Sequence, residues 1–313
     1  MTAPILETVA ETARWSAATP RLSVLIPYFR DDAAPLLASL ARQLEPLADA
    51  VEIVVLDDGS GDPALAELTT LALLALPAPA RFVGLSANAG RSVGRNRLAA
   101  HARSRHLLFL DSDMLPDYDR FLRRWLDAAE ADTAVAFGGF SLKQAPADRR
   151  FALHRAVASR SDCAPAAVRS ATPEKYVFTS NLLVRRDVFE AERFDAGFAG
   201  WGWEDIEWGL RVSRRWPVEH LDNPATHLGL ETASALLAKA EQSSGNFARV
   251  VAAHGDRVRD YPIHRAARAL KRAPARPWLR RAFRAAVLSE ALPAKARSFA
   301  LRLYRASLYA EVV

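Results

Sequence analysis

Cysteine is nearly missing from this chain: Cys163 is the single one in 313 residues. One thiol excludes an internal disulfide and leaves no cysteine-based metal spacing, which favours a reducing compartment. A long apolar run is missing too. The most apolar window, LTTLALLALPAPA (68–80), is broken by prolines and shorter than the ~20 residues needed to span a bilayer. The opening, MTAPILETVAETARW, carries acids and no basic cluster ahead of an apolar stretch, so no signal peptide is expected there. Acidic residues are scarce only at the end. Residues 233–313 hold 16 of the 42 Lys and Arg but 5 of the 36 Asp and Glu, a local +11 within a net +6. The remainder is mildly acidic, so the basic balance gives no reason to expect a nucleic-acid partner.

What is present is an alternation. RLSVLIPYF (21–29), VEIVVL (51–56), RFVGL (81–85) and HLLFL (106–110) are short apolar runs ended by polar or turn-forming residues, as in buried strands. Between them, 31–47, 63–76 and 91–104 have helical spacing. Strand–helix alternation predicts βαβ units and a mostly parallel sheet. Further on, a helix (117–130), a strand (134–142), an aperiodic polar stretch (143–175) and another strand–helix pair are expected. From about 233 the pattern is helical and rich in arginine. This divides the chain into a loosely held lead-in (1–20), an α/β domain (21–232, its halves meeting near 115) and a basic helical extension (233–313).

In open parallel sheets ligands bind beyond the carboxyl ends of the strands. Asp57-Asp58-Gly59-Ser60, Asn88 to Arg91, and Asp111-Ser112-Asp113 all fall there. Asp111 and Asp113, two residues apart, can hold a hard divalent cation or can cap the helix that follows. Asp57 and Asp58 are turn chemistry, or accept a hydrogen bond from a nucleobase. Asn88, Arg91, Arg95 and Asn96 lie on a glycine-containing segment, and arginine forks suit phosphate oxygens. GWGWEDIEWG (200–209) packs three tryptophans, three glycines and three carboxylates into ten residues. A carboxylate among indoles gains a raised pKa and can serve as a base, while indole faces can stack on sugar rings. Trp208 is expected in the core, Trp201 or Trp203 at an acceptor site, and Glu207 and Arg211 in a structural helical pair.

Taken in order, SVLIPYF, VEIVVLDDGSGD, NAGRSVGRN, LLFLDSDM and FDAGFAGWGWEDIEWGLR resemble the family 2 glycosyltransferases, which have the GT-A fold. The last segment is similar to the acceptor-side W-G-x-E-D of chondroitin-polymerase-type, β-1,4-galactosyltransferase and polypeptide GalNAc-transferase enzymes. The match runs from residue 21 to about 230 and leaves out the basic extension. It implies a Rossmann-like sheet flanked by helices and transfer of a sugar from a nucleotide-sugar donor, a UDP-sugar foremost, to a glycan or lipid-linked acceptor. By resemblance, Asp58 binds the base with Asp57 and Pro27 nearby, and Arg95 and Asn96 approach the diphosphate. Asp113 and Asp111, with His227 as third ligand, bind Mn2+ or Mg2+, and Asp205 of the Glu204-Asp205 pair is the catalytic base of an inverting reaction. Two positions depart from the family pattern: Tyr28-Phe29-Arg30 follows Pro27, and Gly94 precedes Arg95-Asn96. A sugar-phosphate nucleotidyltransferase and a non-catalytic glycan- or membrane-binding protein are the alternatives, though neither needs an acceptor base. The expected setting is polysaccharide or glycolipid assembly in the cytoplasm, or peripherally at the inner face of the cytoplasmic membrane. The extension (264–309) either packs on the catalytic domain or lies on an anionic membrane.

Overall fold

The structure, a computed structural model, describes residues 4–47 and 49–313. An antiparallel edge strand, β1 (Glu7–Glu11), comes first, followed by β2 (Leu22–Tyr28), α1 (Ala34–Leu44), β3 (Val51–Asp57), α2 (Pro63–Leu74), β4 (Ala80–Leu85), α3 (Arg91–His101) and β5 (His106–Leu110). β2, β3, β4 and β5 are parallel, in the spatial order β4-β3-β2-β5. β3 is buried along its whole length, which is why its sequence is a continuous apolar run rather than an alternation.

The second half opens with β6 (Met114–Pro116), α4 (Phe121–Glu130), β7 (Val135–Phe137) and β8 (Phe140–Ser141). Two short helices, α5 (Ala152–Ala158) and α6 (Ala166–Arg169), cross the polar stretch, and β9 (Asn181–Arg185) with α7 (Arg186–Ala191) leads to α8 (Glu204–Val212). β10 (Glu219–His220) and β11 (Ala225–His227) complete the strands. The large sheet runs β1-β4-β3-β2-β5-β9-β7-β10, with β9 antiparallel to both neighbours, and a small sheet runs β6-β11-β8. The strand expected over 134–142 is split at Gly138-Gly139, where the chain leaves the large sheet for the small one. Gly139 has φ +97, and a Cβ on it would overlap the Arg169 guanidinium.

The lead-in is more firmly held than expected. β1 pairs with β4, and Trp15 is buried between the guanidiniums of Arg81 and Arg103, 4.3 and 4.0 Å from its ring. The extension forms α9 (Ala233–Val258), α10 (Pro262–Lys271), α11 (Arg276–Leu288) and α12 (Ala294–Tyr309). α9 kinks at His254, where φ is −134 and ψ is 28. These helices share an apolar core with α8: Trp203, Leu210, Phe247, Val250 and Tyr309 lie in one cluster. Among the described residues no helix is long and apolar enough to cross a membrane.

Candidate active site

The carboxyl ends of β3 and β5 and the start of α3 meet at one rim, and α8 presents its first turn to the same place. Asp58, just past β3, is buried and grips the loop before α3. Its carboxylate accepts from the N–H groups of Ala89 (2.8 Å) and Gly90 (3.0 Å) and from Asn88 Nδ2 (3.1 Å). Burial nevertheless pushes its pKa up, against those donors. Gly59 has φ +71, and its Cα lies so near the Ala87–Asn88 backbone that no side chain fits. Asp57 accepts from Ser60 N (2.8 Å) and closes the turn. Pro27 lies in β2 opposite Leu56, next to the Asp57 position of β3.

Asp111, the first acid after β5, faces arginines. Arg95 Nη2 donates to its Oδ1 at 2.5 Å, and Arg91 Nη2 lies 3.8 Å from Oδ2. Arg91 Nε also donates to Glu204 Oε1 at 2.5 Å, so one guanidinium ties the rim to α8. Asp113 is turned the other way, toward His227 at the end of β11, whose Nε2 stands 3.1 Å from Asp113 Oδ2. Burial opposes the charged form of both groups. Their mutual pairing outweighs it, leaving Asp113 below and His227 above its usual range. The next glycine, Gly229, has no room for a Cβ, which would strike the Asp113 carboxylate. Ser112 donates to Asp31 Oδ2 at 2.9 Å. The residues expected to hold a metal thus divide into Asp113 with His227 and Asp111 with arginines. Among the described residues no group of three His, Cys, Asp or Glu is spaced as a closed metal cage.

Glu204 and Asp205 open α8, where exposed N–H groups and the helix dipole favour acids. Burial would raise the Glu204 pKa, but the Arg91 and Arg95 charges overcome it and keep the group ionised. Asp205 goes the opposite way. Burial, and then the adjacent Glu204 charge, raise it to about 7. Two carboxylates side by side with pKa values driven apart are the arrangement that separates an ionised electrostatic partner from a group able to take a proton near neutrality.

Three expectations need correction. Trp203 does not line an acceptor site: it is 7% exposed, its ring lies 4.8 Å from that of Phe247, and its Nε1 donates to Tyr309 Oη at 2.9 Å. Indole area is best buried, and the extension supplies the wall that buries it. Asn96 does not reach toward a diphosphate. Its amide bonds both the N–H and the C=O of Phe194, at 3.1 and 2.8 Å. Asp111, as described, is taken up by Arg95. Trp201 stays half-exposed, with Lys239 Nζ 5.3 Å from its ring. Trp208 is fully buried, and Arg211 does bind Glu207, at 2.8 Å.

Several residues at the site had no sequence signal. His154, on α5, lies beside His227 with ring centroids 5.7 Å apart. Its Nδ1 accepts from Glu231 N, and burial, then the His227 and Lys239 charges, lower its pKa to about 4, so it is neutral with its proton on Nε2. Trp203 holds a left-handed backbone, φ +78, directly before the acids, a conformation costing roughly 1–3 kcal/mol in a bulky residue. The extension offsets that strain. Besides Tyr309, Asn246 of α9 donates to the C=O groups of Ala199 (3.0 Å) and Gly202 (2.8 Å). Lower on α8, His254 Nε2 donates to Glu207 Oε1 at 3.0 Å while its Nδ1 accepts from Arg214. Asp31, which accepts from Ser112, lies just ahead of α1.

A large, mostly parallel central sheet flanked by helices, with a smaller second sheet, is the GT-A fold. Glycosyl transferase family 2 matches residues 23–192, and the chain belongs to that family. A solved mannosyltransferase from Pyrobaculum calidifontis, PcManGT in complex with GDP-Man and Mn2+, superposes with TM-score 0.62 at 14% identity, covering 96% of this chain and 89% of that one. S. aureus TarS (1–349) gives TM-score 0.46 at 15% identity, over 91% of this chain and 89% of that one. No curated protein sequence matches. Family membership decides against the nucleotidyltransferase and the non-catalytic alternatives, and the protein is a glycosyltransferase.

Proposed function

We propose that this glycosyltransferase moves a sugar from a nucleotide-sugar donor to a hydroxyl of a glycan or lipid-linked acceptor, with inversion at the anomeric carbon and Asp205 as base. The observation that carries this reading is the acid pair in the first turn of α8: Arg91 holds Glu204, and Asp205 is left half-buried beside it without a cationic side-chain partner among the described residues, its pKa raised by burial and the Glu204 charge. A base with a pKa of about 7 is about half ionised at neutral pH, and its ionised form accepts the acceptor proton as the oxygen attacks. Glu204 cannot share the role, because Arg91 holds it at 2.5 Å.

Arg91 and Arg95 supply the positive charge for a diphosphate. Each is now satisfied partly by a carboxylate, and two buried polar atoms, Arg95 Nε and Glu204 Oε2, have no hydrogen-bond partner among the described residues. Unpaired buried polar atoms are costly and are expected where a polar ligand completes the site. Asp58 with the Asn88–Gly90 backbone forms the base-side wall.

Asp113 and His227 suit a divalent cation: a hard oxygen and an imidazole nitrogen face each other 3.1 Å apart. Mn2+ or Mg2+ bound there would neutralise charge on the leaving diphosphate.

The test is release of nucleoside diphosphate from UDP-, GDP- and dTDP-sugars, with divalent metal and with chelator. Turnover of one donor that is lost in Asp205→Asn, while donor binding persists, supports the base assignment. Undiminished turnover in that variant would remove it.

A further inference from the structure

The outward face of the α11–α12 hairpin has no role in the transferase site, and its chemistry is unlike the rest of the surface. Residues 262–309 contain twelve Lys and Arg and a single acid, Glu290. α11 turns Phe283, Ala286 and Val287 inward onto Leu237, Leu301 and Tyr304. Its opposite face carries Trp278, 69% exposed, with Arg281, Ala285 and Leu288 following at helical spacing. α12 continues the pattern with Lys295, Phe299 (61% exposed) and Arg302, and exposed Leu292 lies in the connection. Leu288 ends α11, Leu292 lies in the connection, and Phe299 follows in the second turn of α12. Trp278 stands ten residues back along α11, about 15 Å away.

The basic residues of this face differ in how they are held. Arg280 is bound to Glu311 and to Ser307, and Arg297 to the C=O of Val287. Among the described residues Arg281, Arg284, Lys295 and Arg302 have no acidic partner, and Arg281 stands 5.1 Å above the Trp278 ring. Large exposed apolar side chains interleaved with unpaired cations lack any compensation inside the protein. An interfacial helix has this composition: apolar groups enter the acyl boundary while cations meet lipid phosphates, and tryptophan favours the headgroup level.

We propose that the face formed by Trp278, Arg281, Leu288, Leu292, Phe299 and Arg302 docks this protein on an anionic lipid bilayer, as a peripheral rather than a spanning contact. Aliphatic Leu288 and Leu292 favour hydrocarbon over a polynucleotide, which would use the arginines and leave the leucines in water. The inference stands independently of the base and metal assignments, since none of these side chains takes part in the site.

The experiment is sedimentation of the full chain with vesicles of phosphatidylcholine alone and of phosphatidylcholine mixed with phosphatidylglycerol. Binding is expected to the mixed vesicles only, falling with added salt. Trp278→Ser with Phe299→Ser should weaken it at least tenfold, and Arg281→Gln with Arg302→Gln comparably, with the melting temperature unchanged. Equal binding by wild type and variants, no binding by the wild type, or equal affinity for neutral vesicles overturns the proposal. So does tighter binding to RNA or DNA than to mixed vesicles. Self-association lost in the double-serine variant, in the absence of vesicle binding, reassigns the face to a second copy and overturns it as well.

Discussion

At the donor rim, Asp58 and Asp111 are held by near neighbours in the same α/β half, while Arg91 reaches across to Glu204 and Asp113 to His227. Arg95 and Asp111 are 16 residues apart, and Asp58 grips a loop about 30 residues on. The segment carrying Asp205 is held from far away: Trp203 bonds Tyr309, 106 residues later, and residues 199–202 hang on Asn246. The rim is held by ionic contacts, one of which reaches α8, while the segment carrying Asp205 is placed by aromatic packing that another set of helices provides. Local ionic clusters are specified by short motifs. A strained turn such as φ +78 at Trp203 persists only where distant contacts over-determine it. The lesson is that the inner face of the basic extension braces the segment that carries the proposed base, whatever its outer face does.

The comparison can be broken most sharply at the base. Asp205→Asn should reduce kcat by about 10^2–10^4 with donor affinity little changed, measured by product release and by donor titration. If donor affinity falls in step with kcat, Asp205 belongs to the rim rather than to the acceptor side.

Next in size is the pH profile. With Asp205 near 7, kcat/KM should fall about tenfold per unit as pH drops below that value and level off above it. The Asn variant should lose this limb.

The same shift has an opposite sign for stability. The folded-state pKa exceeds the unfolded value, so the native state binds more protons between about 4 and 7 and loses stability as pH rises through that window. Above pH 7 Asp205→Asn should therefore be the more stable protein, by on the order of 1–2 kcal/mol after allowance for partial exposure, and the gain should vanish toward pH 4. Thermal melts at both ends of the range measure it.

The smallest effect comes from the extension. Tyr309→Phe leaves the Trp203 N–H and the Ser243 hydroxyl, 2.7 Å from Tyr309 Oη, without that partner. A loss of about 1–2 kcal/mol is expected, with a several-fold drop in kcat and an unchanged donor KM. A rise in donor KM with kcat unchanged would mean that the extension acts on the rim.

Much of the site was legible as spacing. Asp111 and Asp113 behind four apolar residues, Asp58 before a glycine, and Glu204-Asp205 among glycines could each be picked out, because strand ends and helix starts have strong local signatures. Side-chain direction was not legible. Asp111 and Asp113 differ by two positions, yet one faces Arg95 and the other His227, since the chain turns between β5 and β6. The two indoles of Trp201 and Trp203 read alike in a string, and only the position of Phe247 and Tyr309 separates them. His154 sits in an aperiodic stretch where no pattern marks it.

By itself the sequence determined the alternating α/β architecture, the rim at the ends of β3 and β5, and the acid pair of α8. These follow from hydrophobic period and turn chemistry, which act over a few residues. The tertiary structure alone decided which acid meets which base, which tryptophan is buried, and that helices 233–313 brace the catalytic turn. Those outcomes depend on contacts across a hundred residues, where packing and burial, not local propensity, set the energy.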